Sequence, residues 1–281
     1  MSDFIQKNHF IYCYFVIEMK YLFLVFVVIF LTSCSSSLLT PYNKKIGYLE
    51  SDEIKGRNLL LQAQQAVNIK KIKKQTTYTV YFKDCFFGFS GTLANPFKNK
   101  CTEFELKLSP GSFNSEMTFL SGKEKGLTVG LTDWKTYRVI NNQKVYKKDK
   151  RTQFWLPTYQ YFIELPLRIL EADKICYAGT NQYNGEDYNL VLATWKSYRT
   201  QKTLDQYLIW VSKSTHRIEI VQYTIRDMSR LIKGTTFYNN YKSFNGILFP
   251  TQMNVSALSR QKKKLWKPNK LMHSMEIINV K

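Results

Sequence analysis

Residues that build reactive centres are scarce in this chain. It has three histidines, five cysteines and 21 carboxylates against 41 lysines and arginines in 281 residues. Beyond position 34 the only histidines are His216 and His273. There is no HExxH, no CxxC, no glycine-rich phosphate loop and no GxSxG turn. His216 falls at a hairpin turn, where a solvated side chain is expected, and His273 reads as a structural residue of the last strand. Glu103 and Glu105 share one face of a strand by period two, whereas a glycosidase sets its two acids across a cleft. Glu186 and Asp187 follow Gly185 and read as a solvated turn. No nucleophile, base and orienting group come together. The chain is therefore not expected to be an enzyme, and no catalytic residue, metal or cofactor is assigned. Repeats of fixed period and low-complexity stretches are also lacking.

Long apolar runs are equally few, and the clearest lies near the start. Tyr21 to Leu31 is an apolar stretch preceded by Lys20 and followed by Thr32-Ser33-Cys34. Its length suits a secretory signal and falls short of the roughly 20 residues of a spanning helix. Leu31-Thr32-Ser33-Cys34 resembles a bacterial lipobox, which implies cleavage before Cys34 and acylation of its thiol. Phe10 to Ile17 is apolar as well, but Glu18 and Lys20 interrupt any longer span at a cost of about 2.5–3.5 kcal/mol per charge. Translation is therefore expected to start at Met19. Residues 1–33 are expected to form the signal peptide, 34–52 a lipidated tether and 53–281 one domain. Ser35-Ser36-Ser37 resembles the residues of lipoproteins sent on to the outer membrane. The expected location is the cell envelope, lipid-anchored at the outer membrane of a Gram-negative bacterium.

About 247 residues follow Cys34, with 19 Tyr and 19 Phe in the whole chain, enough to bury a core. The net charge of +20 admits an anionic partner. Nucleic acid does not fit an exported lipoprotein. An anionic lipid surface does, and so do lysines that merely keep strand edges from pairing.

Glu53 to Lys74 has apolar residues at helical spacing, capped by Ser51 or Asp52. From Thr76 the period changes to two, and about eleven short strands follow, joined by turns such as Asn141-Asn142, Asn184-Gly185 and Asn245-Gly246. Thr158 to Leu170 interrupts them. It reads as a short helix from Tyr159 to Glu164, broken by Pro166, and a second to Leu170. Cys85 ends one strand-like run and Cys101 begins another. If those strands pair, a disulfide closes a loop of 15 intervening residues. Cys176 is left over and expected to be buried.

Tyr207-Leu208-Ile209-Trp210-Val211-Ser212-Lys213-Ser214-Thr215-His216-Arg217-Ile218 resembles the W-V-D-x-x-T-x-x-I hairpin of the LolA/LolB-like lipoprotein-sorting families. Phe237 to Pro250 is similar to their D-Y-x-x-x-x-G-I-x-x-P strand pair. Ser212 and Asn240 stand where those motifs carry aspartate. The resemblance implies an α+β, mostly β fold: a strongly curved antiparallel sheet, or half-open barrel, with an N-terminal helix and a helical insertion over the concave face. It further implies an apolar cavity for lipid or acyl chains, lined by aromatics such as Trp210 and covered by Phe162, Leu165 and Ile169. The partners implied are a membrane, through lipid on Cys34, and an acyl-chain or lipoprotein ligand. The alternative is a structural or interaction lipoprotein of the envelope without a small ligand. Oligomeric state is not indicated.

Overall fold

A computed structural model describes residues 37–38, 49–258 and 268–281. The apolar signal-like run, Cys34 and most of the tether lie outside the described residues.

The first helix, α1 (Glu50–Val67), starts three residues earlier than its apolar period indicates. Ser51 and Asp52 lie inside its first turn instead of capping it, and Glu50, Asp52 and Glu53 there suit the positive end of the helix dipole. It ends where Asn68 turns left-handed (φ 54°) and its N–H closes on the Gln64 and Gln65 carbonyls. The remaining Ile69–Lys74 is a 3-10 segment that keeps Ile69 and Ile72 buried. Thirteen strands follow among the described residues, more than the turn signals indicate. They are β1 (Tyr78–Phe86), β2 (Cys101–Leu108), β3 (Ser115–Phe119), β4 (Thr128–Thr132), β5 (Lys135–Ile140), β6 (Gln143–Tyr146), β7 (Lys174–Tyr183), β8 (Glu186–Thr194), β9 (Gln206–Ser212), β10 (Ile218–Thr224), β11 (Lys233–Phe244), β12 (Ile247–Leu258) and β13 (Pro268–Val280). A short helix, α2 (Gly88–Ala94), occupies the β1–β2 connection.

All thirteen form one antiparallel sheet, in the order β6-β5-β4-β3-β2-β1-β13-β12-β11-β10-β9-β8-β7. The last strand thus joins the first half to the second, with Val80 opposite Val280 and Phe86 opposite His273 on one side and Met253 opposite Met275 on the other. The sheet does not close, because β6 and β7 remain its edges. Four two-residue hairpins among the described residues have both turn residues left-handed, at Asp133-Trp134, Asn141-Asn142, Asn184-Gly185 and Asn245-Gly246. That matches the strand twist of type I′ turns.

The helical insertion is longer than the segment its prolines mark out. It comprises α3 (Lys150–Ile163), α4 (Leu165–Arg168) and a 3-10 turn, Ile169–Glu171. Asp149 caps α3 by accepting from the Arg151 and Thr152 amides, so the polar Lys150-Arg151-Thr152-Gln153 is the first helical turn. Pro157 sits inside α3 and Pro166 opens α4. These helices and α1 pack on one face of the sheet. There Leu60, Ala63, Val67, Leu156, Phe162 and Leu165 join Phe104, Val191, Ile209, Val221, Phe249 and Met275 in the main core.

Close packing of α1 on the sheet edge depends on Gly56. A Cβ added there would lie 2.6 Å from the Cys176 carbonyl carbon and 2.7 Å from the Tyr177 nitrogen, both backbone atoms that cannot yield locally. Gly56→Ala should destabilise the protein by about 1–3 kcal/mol, although alanine is the better helix former. An unchanged urea midpoint would show that α1 does not sit this close to β7.

Candidate functional site

The face covered by helices is the concave side on which the family resemblance places a ligand. Phe162, Leu165 and Ile169 all point into its core and are 8%, 0% and 0% exposed. Beside Leu165, an apolar crevice runs between Val67 at the end of α1, Ile163 and Pro166 on one side and Tyr238, Tyr241 and Leu248 of the sheet on the other. The space left in it is about 10 Å³. A layer of tyrosines flanks it. The Tyr161 and Tyr207 ring centres are 5.4 Å apart, those of Phe162 and Tyr223 are 5.0 Å apart, and the Tyr238 hydroxyl donates to the Phe162 carbonyl at 3.2 Å. Burial holds the hydroxyls of Tyr161, Tyr207 and Tyr238 well above the usual phenol range, so each stays neutral.

Trp210 does not join this group. In β8 and β9, Val191, Ile209 and Val211 face the helices. By strand alternation their neighbours Leu190, Leu192, Leu208 and Trp210 face the other way. Those residues form a second apolar cluster with Cys176, Tyr188, Ile220 and Leu38. The Trp210 indole N–H donates to Gln222 there, at 3.3 Å. Leu38, from the tether, is 2% exposed, and its amide donates to the Gln206 side chain at 3.2 Å. Cys176 is the free thiol of this cluster, buried and pushed up to about 12 by desolvation first and by Asp52 and Glu53 second. Such a thiol is protonated and inert.

Two buried polar clusters lie under the insertion, and the sequence pattern conceals both. Glu164, fully buried, accepts from the Tyr78 hydroxyl at 2.8 Å, from Gln160 at 3.1 Å and from the Arg168 Nε at 2.7 Å. Arg168 also donates to the Ser112 carbonyl and stacks on Phe113. Desolvation raises the Glu164 carboxyl above its usual range, and the Arg168 charge opposes that shift. In the second cluster Asp84 accepts from the Tyr159 hydroxyl and abuts the His273 Nε2. The His273 ring is stacked on Phe86 with centres 4.2 Å apart. Asp84, Tyr159 and His273 are 0%, 1% and 6% exposed, so this trio offers a substrate no access.

Cys85 and Cys101 are joined in a disulfide where β1 ends and β2 begins. His216 is exposed in the β9–β10 turn. Glu103 meets Lys83 at 3.8 Å across the strand pair, both half-exposed. Glu186 accepts from the Ser212 and Ser214 hydroxyls and so fastens the β9–β10 turn. Those hydrogen bonds hold its carboxyl below the usual range. Among the described residues no group of three metal-ligating side chains occurs, and no helix is long and apolar enough to cross a membrane.

No protein-family model and no curated protein matches the chain. Solved structures do. A putative outer membrane lipoprotein-sorting protein domain from Vibrio parahaemolyticus aligns over 82% of this chain and 92% of its own, with a TM-score of 0.50 at 10% identity. A DUF1329 family protein from Desulfovibrio piger covers the same shares with a TM-score of 0.51 at 13% identity. At such identity the likeness is one of fold. The open antiparallel sheet, the leading helix and the insertion over the concave face are the LolA-like fold.

Proposed function

We propose that the chain is a membrane-anchored envelope lipoprotein, acylated on Cys34 at the outer membrane, whose concave face takes an acyl chain of a lipid or lipoprotein beneath the helical insertion. One observation carries this reading. A cover that breaks at Glu164, between α3 and the α4 that Pro166 opens, lies on an apolar, tyrosine-rich wall, and an apolar crevice already runs along the seam. Ligand pockets hold about 300–1,000 Å³. A crevice of about 10 Å³ is therefore the closed form, and loading moves α3 and α4 outward. Likeness in fold to the Vibrio lipoprotein-sorting domain supports the same class of ligand. A lipidated Cys34 favours a fixed acceptor over a freely diffusing carrier.

The small crevice favours a second reading, a structural or interaction lipoprotein without a ligand. Native mass spectrometry of the chain from Ser35 onward separates the two. Acyl-lipid adducts that disappear on delipidation are expected. If no lipid co-purifies and a hydrophobic dye also fails to bind, the acyl-chain reading is wrong and the second stands.

A further inference from the structure

The sheet has two rims, and its exposed apolar side chains are concentrated on one of them. β1, β8, β10 and β12 end on this rim, and β2, β9, β11 and β13 begin there. On it, the β10–β11 connection exposes Met228 (57%), Leu231 (59%) and Ile232, and α2 exposes Phe89 (86%) and Leu93 (79%). The two groups are near neighbours. α2 packs on β13, where the Phe87 amide donates to the Met272 carbonyl. β13 lies two strands from β11, about 10 Å at the usual spacing. Leu271 in β13, also exposed, lies between them.

The β10–β11 connection is a built structure. The Ile225 and Ile232 backbones close its neck, the Arg226 amide donates to Asp205, and the buried Arg226 guanidinium donates to the Arg230 carbonyl. This framework holds Met228, Leu231 and Ile232 exposed side by side, the kind of grouped apolar surface that marks an interaction site.

The tether leaves from the same rim. Lys233, the first residue of β11, donates its ammonium to the Ser37 carbonyl, and Leu38 is seated beside Gln206, the first residue of β9. Ser37 is three residues from Cys34, about 10 Å of extended chain. Charge on this side of the molecule is complementary to an anionic surface. A depression of about 520 Å³ between the β1–β2 and β3–β4 connections is lined by Lys98, Lys123, Lys125, Arg138 and Arg151, with only Glu124 and Asp149 opposing them.

We infer that this rim is the membrane-facing edge of the protein: Met228, Leu231 and Ile232, with Phe89 and Leu93 beside them, enter the interfacial layer of an anionic bilayer next to the acylated residue. The inference rests on the reading that Cys34 carries lipid, and it adds an orientation. The lipid tether supplies the anchor, and the apolar rim adds a second attachment that fixes how the domain sits on the bilayer. The seam of the insertion is then held at a fixed distance from the bilayer.

The test uses the full-length lipidated chain and its Cys34→Ser variant, floated with vesicles of phosphatidylethanolamine and phosphatidylglycerol. Hydrogen exchange is then measured on the floated protein. Cys34→Ser should float much less, which reports the anchor. In the wild-type chain, amides of 226–232 and 88–94 should be protected on vesicles relative to detergent-free solution. Flotation with those amides unprotected, or with protection on the opposite-rim turns 184–185, 213–217 and 245–246, overturns the orientation and leaves the anchor standing. Undiminished flotation of Cys34→Ser overturns the anchor alone, and failure of both chains to float overturns both. Replacing Met228, Leu231 and Ile232 together by serine should leave the melting curve unchanged and weaken residual vesicle binding of the Cys34→Ser chain by about tenfold or more. Unchanged residual binding would count against the rim.

Discussion

Replacing Arg168 with methionine is expected to cost about 3–5 kcal/mol of stability at neutral pH, because it strands a carboxylate in the core. Glu164 is fully buried at the joint between α3 and α4, and Arg168 supplies the one cation bonded to it at 2.7 Å. The pair does not act alone. Tyr78 brings β1 to Glu164, and Arg168 reaches the Ser112 carbonyl in the β2–β3 connection. Together they clamp the insertion to the first half of the sheet. Desolvation already raises the folded-state pKa of Glu164 above its unfolded value, and removing Arg168 takes away the largest opposing influence. A carboxyl with a raised folded pKa binds its proton more tightly in the native state than in the unfolded chain. Its stability contribution is present below the unfolded pKa and is lost as pH rises through the folded one. Arg168→Met should therefore recover stability on acidification from pH 7 towards pH 5, over a wider window than the parent chain. Glu164→Gln combined with Arg168→Met should regain most of the loss, since an apolar and amide pair leaves no buried charge. Urea unfolding at the two pH values measures the parent chain and both variants. A loss under about 1 kcal/mol with no pH dependence would show that the pair is not what holds the insertion down.

Removing the disulfide is the second large effect. Cys85→Ala with Cys101→Ala opens a loop of 15 intervening residues, which corresponds to about 3 kcal/mol in the chain-entropy model. For a domain of this size each kcal/mol shifts Tm by about 2–4 °C, so a fall of about 6–12 °C is expected. The bond fixes the register of β1 on β2, with Cys85 opposite Cys101 and Phe82 opposite Phe104. It also closes the segment that carries α2 and the core residue Phe97. Reduction of the unmodified protein should reproduce the shift in scanning calorimetry, and an unchanged Tm would mean that the loop is ordered without its bridge.

Local chemistry marks this disulfide clearly. Two strands with cysteines at facing ends, and asparagine and glycine at the hairpin tips, are readable because turn and strand preferences act within a few residues. Placement of β13 between β1 and β12 is not readable in that way, since nothing in Leu271 to Val280 names a partner some 200 residues away. Trp210 shows a different failure. Alternation assigns residues to opposite faces without saying which face is concave, and β8 and β9 are buried on both, so the apolar pattern is nearly continuous. Glu164, Arg168 and Asp84 look like ordinary surface residues in one dimension, and His273 reads as structural without a partner being named. Only pairing across the core reveals them. The start of α3 was masked by its own polarity: Lys150 to Gln153 resembles a loop until Asp149 is seen to cap it. The half-open barrel with its covered concave face was legible through the two hairpin motifs of the second half of the sheet, although Ser212 and Asn240 depart from them.

The central claim is that an acyl chain lies between the helical insertion and the concave wall. A photoactivatable diazirine fatty acid, supplied to cells producing the full-length chain and crosslinked before purification, tests it most directly. Peptide mapping should place adducts on 159–170 and on the facing positions Tyr238, Tyr241 and Leu248 of the sheet. Adducts confined to the acylated amino-terminal peptide and the rim connections, with none beneath the insertion, would contradict it.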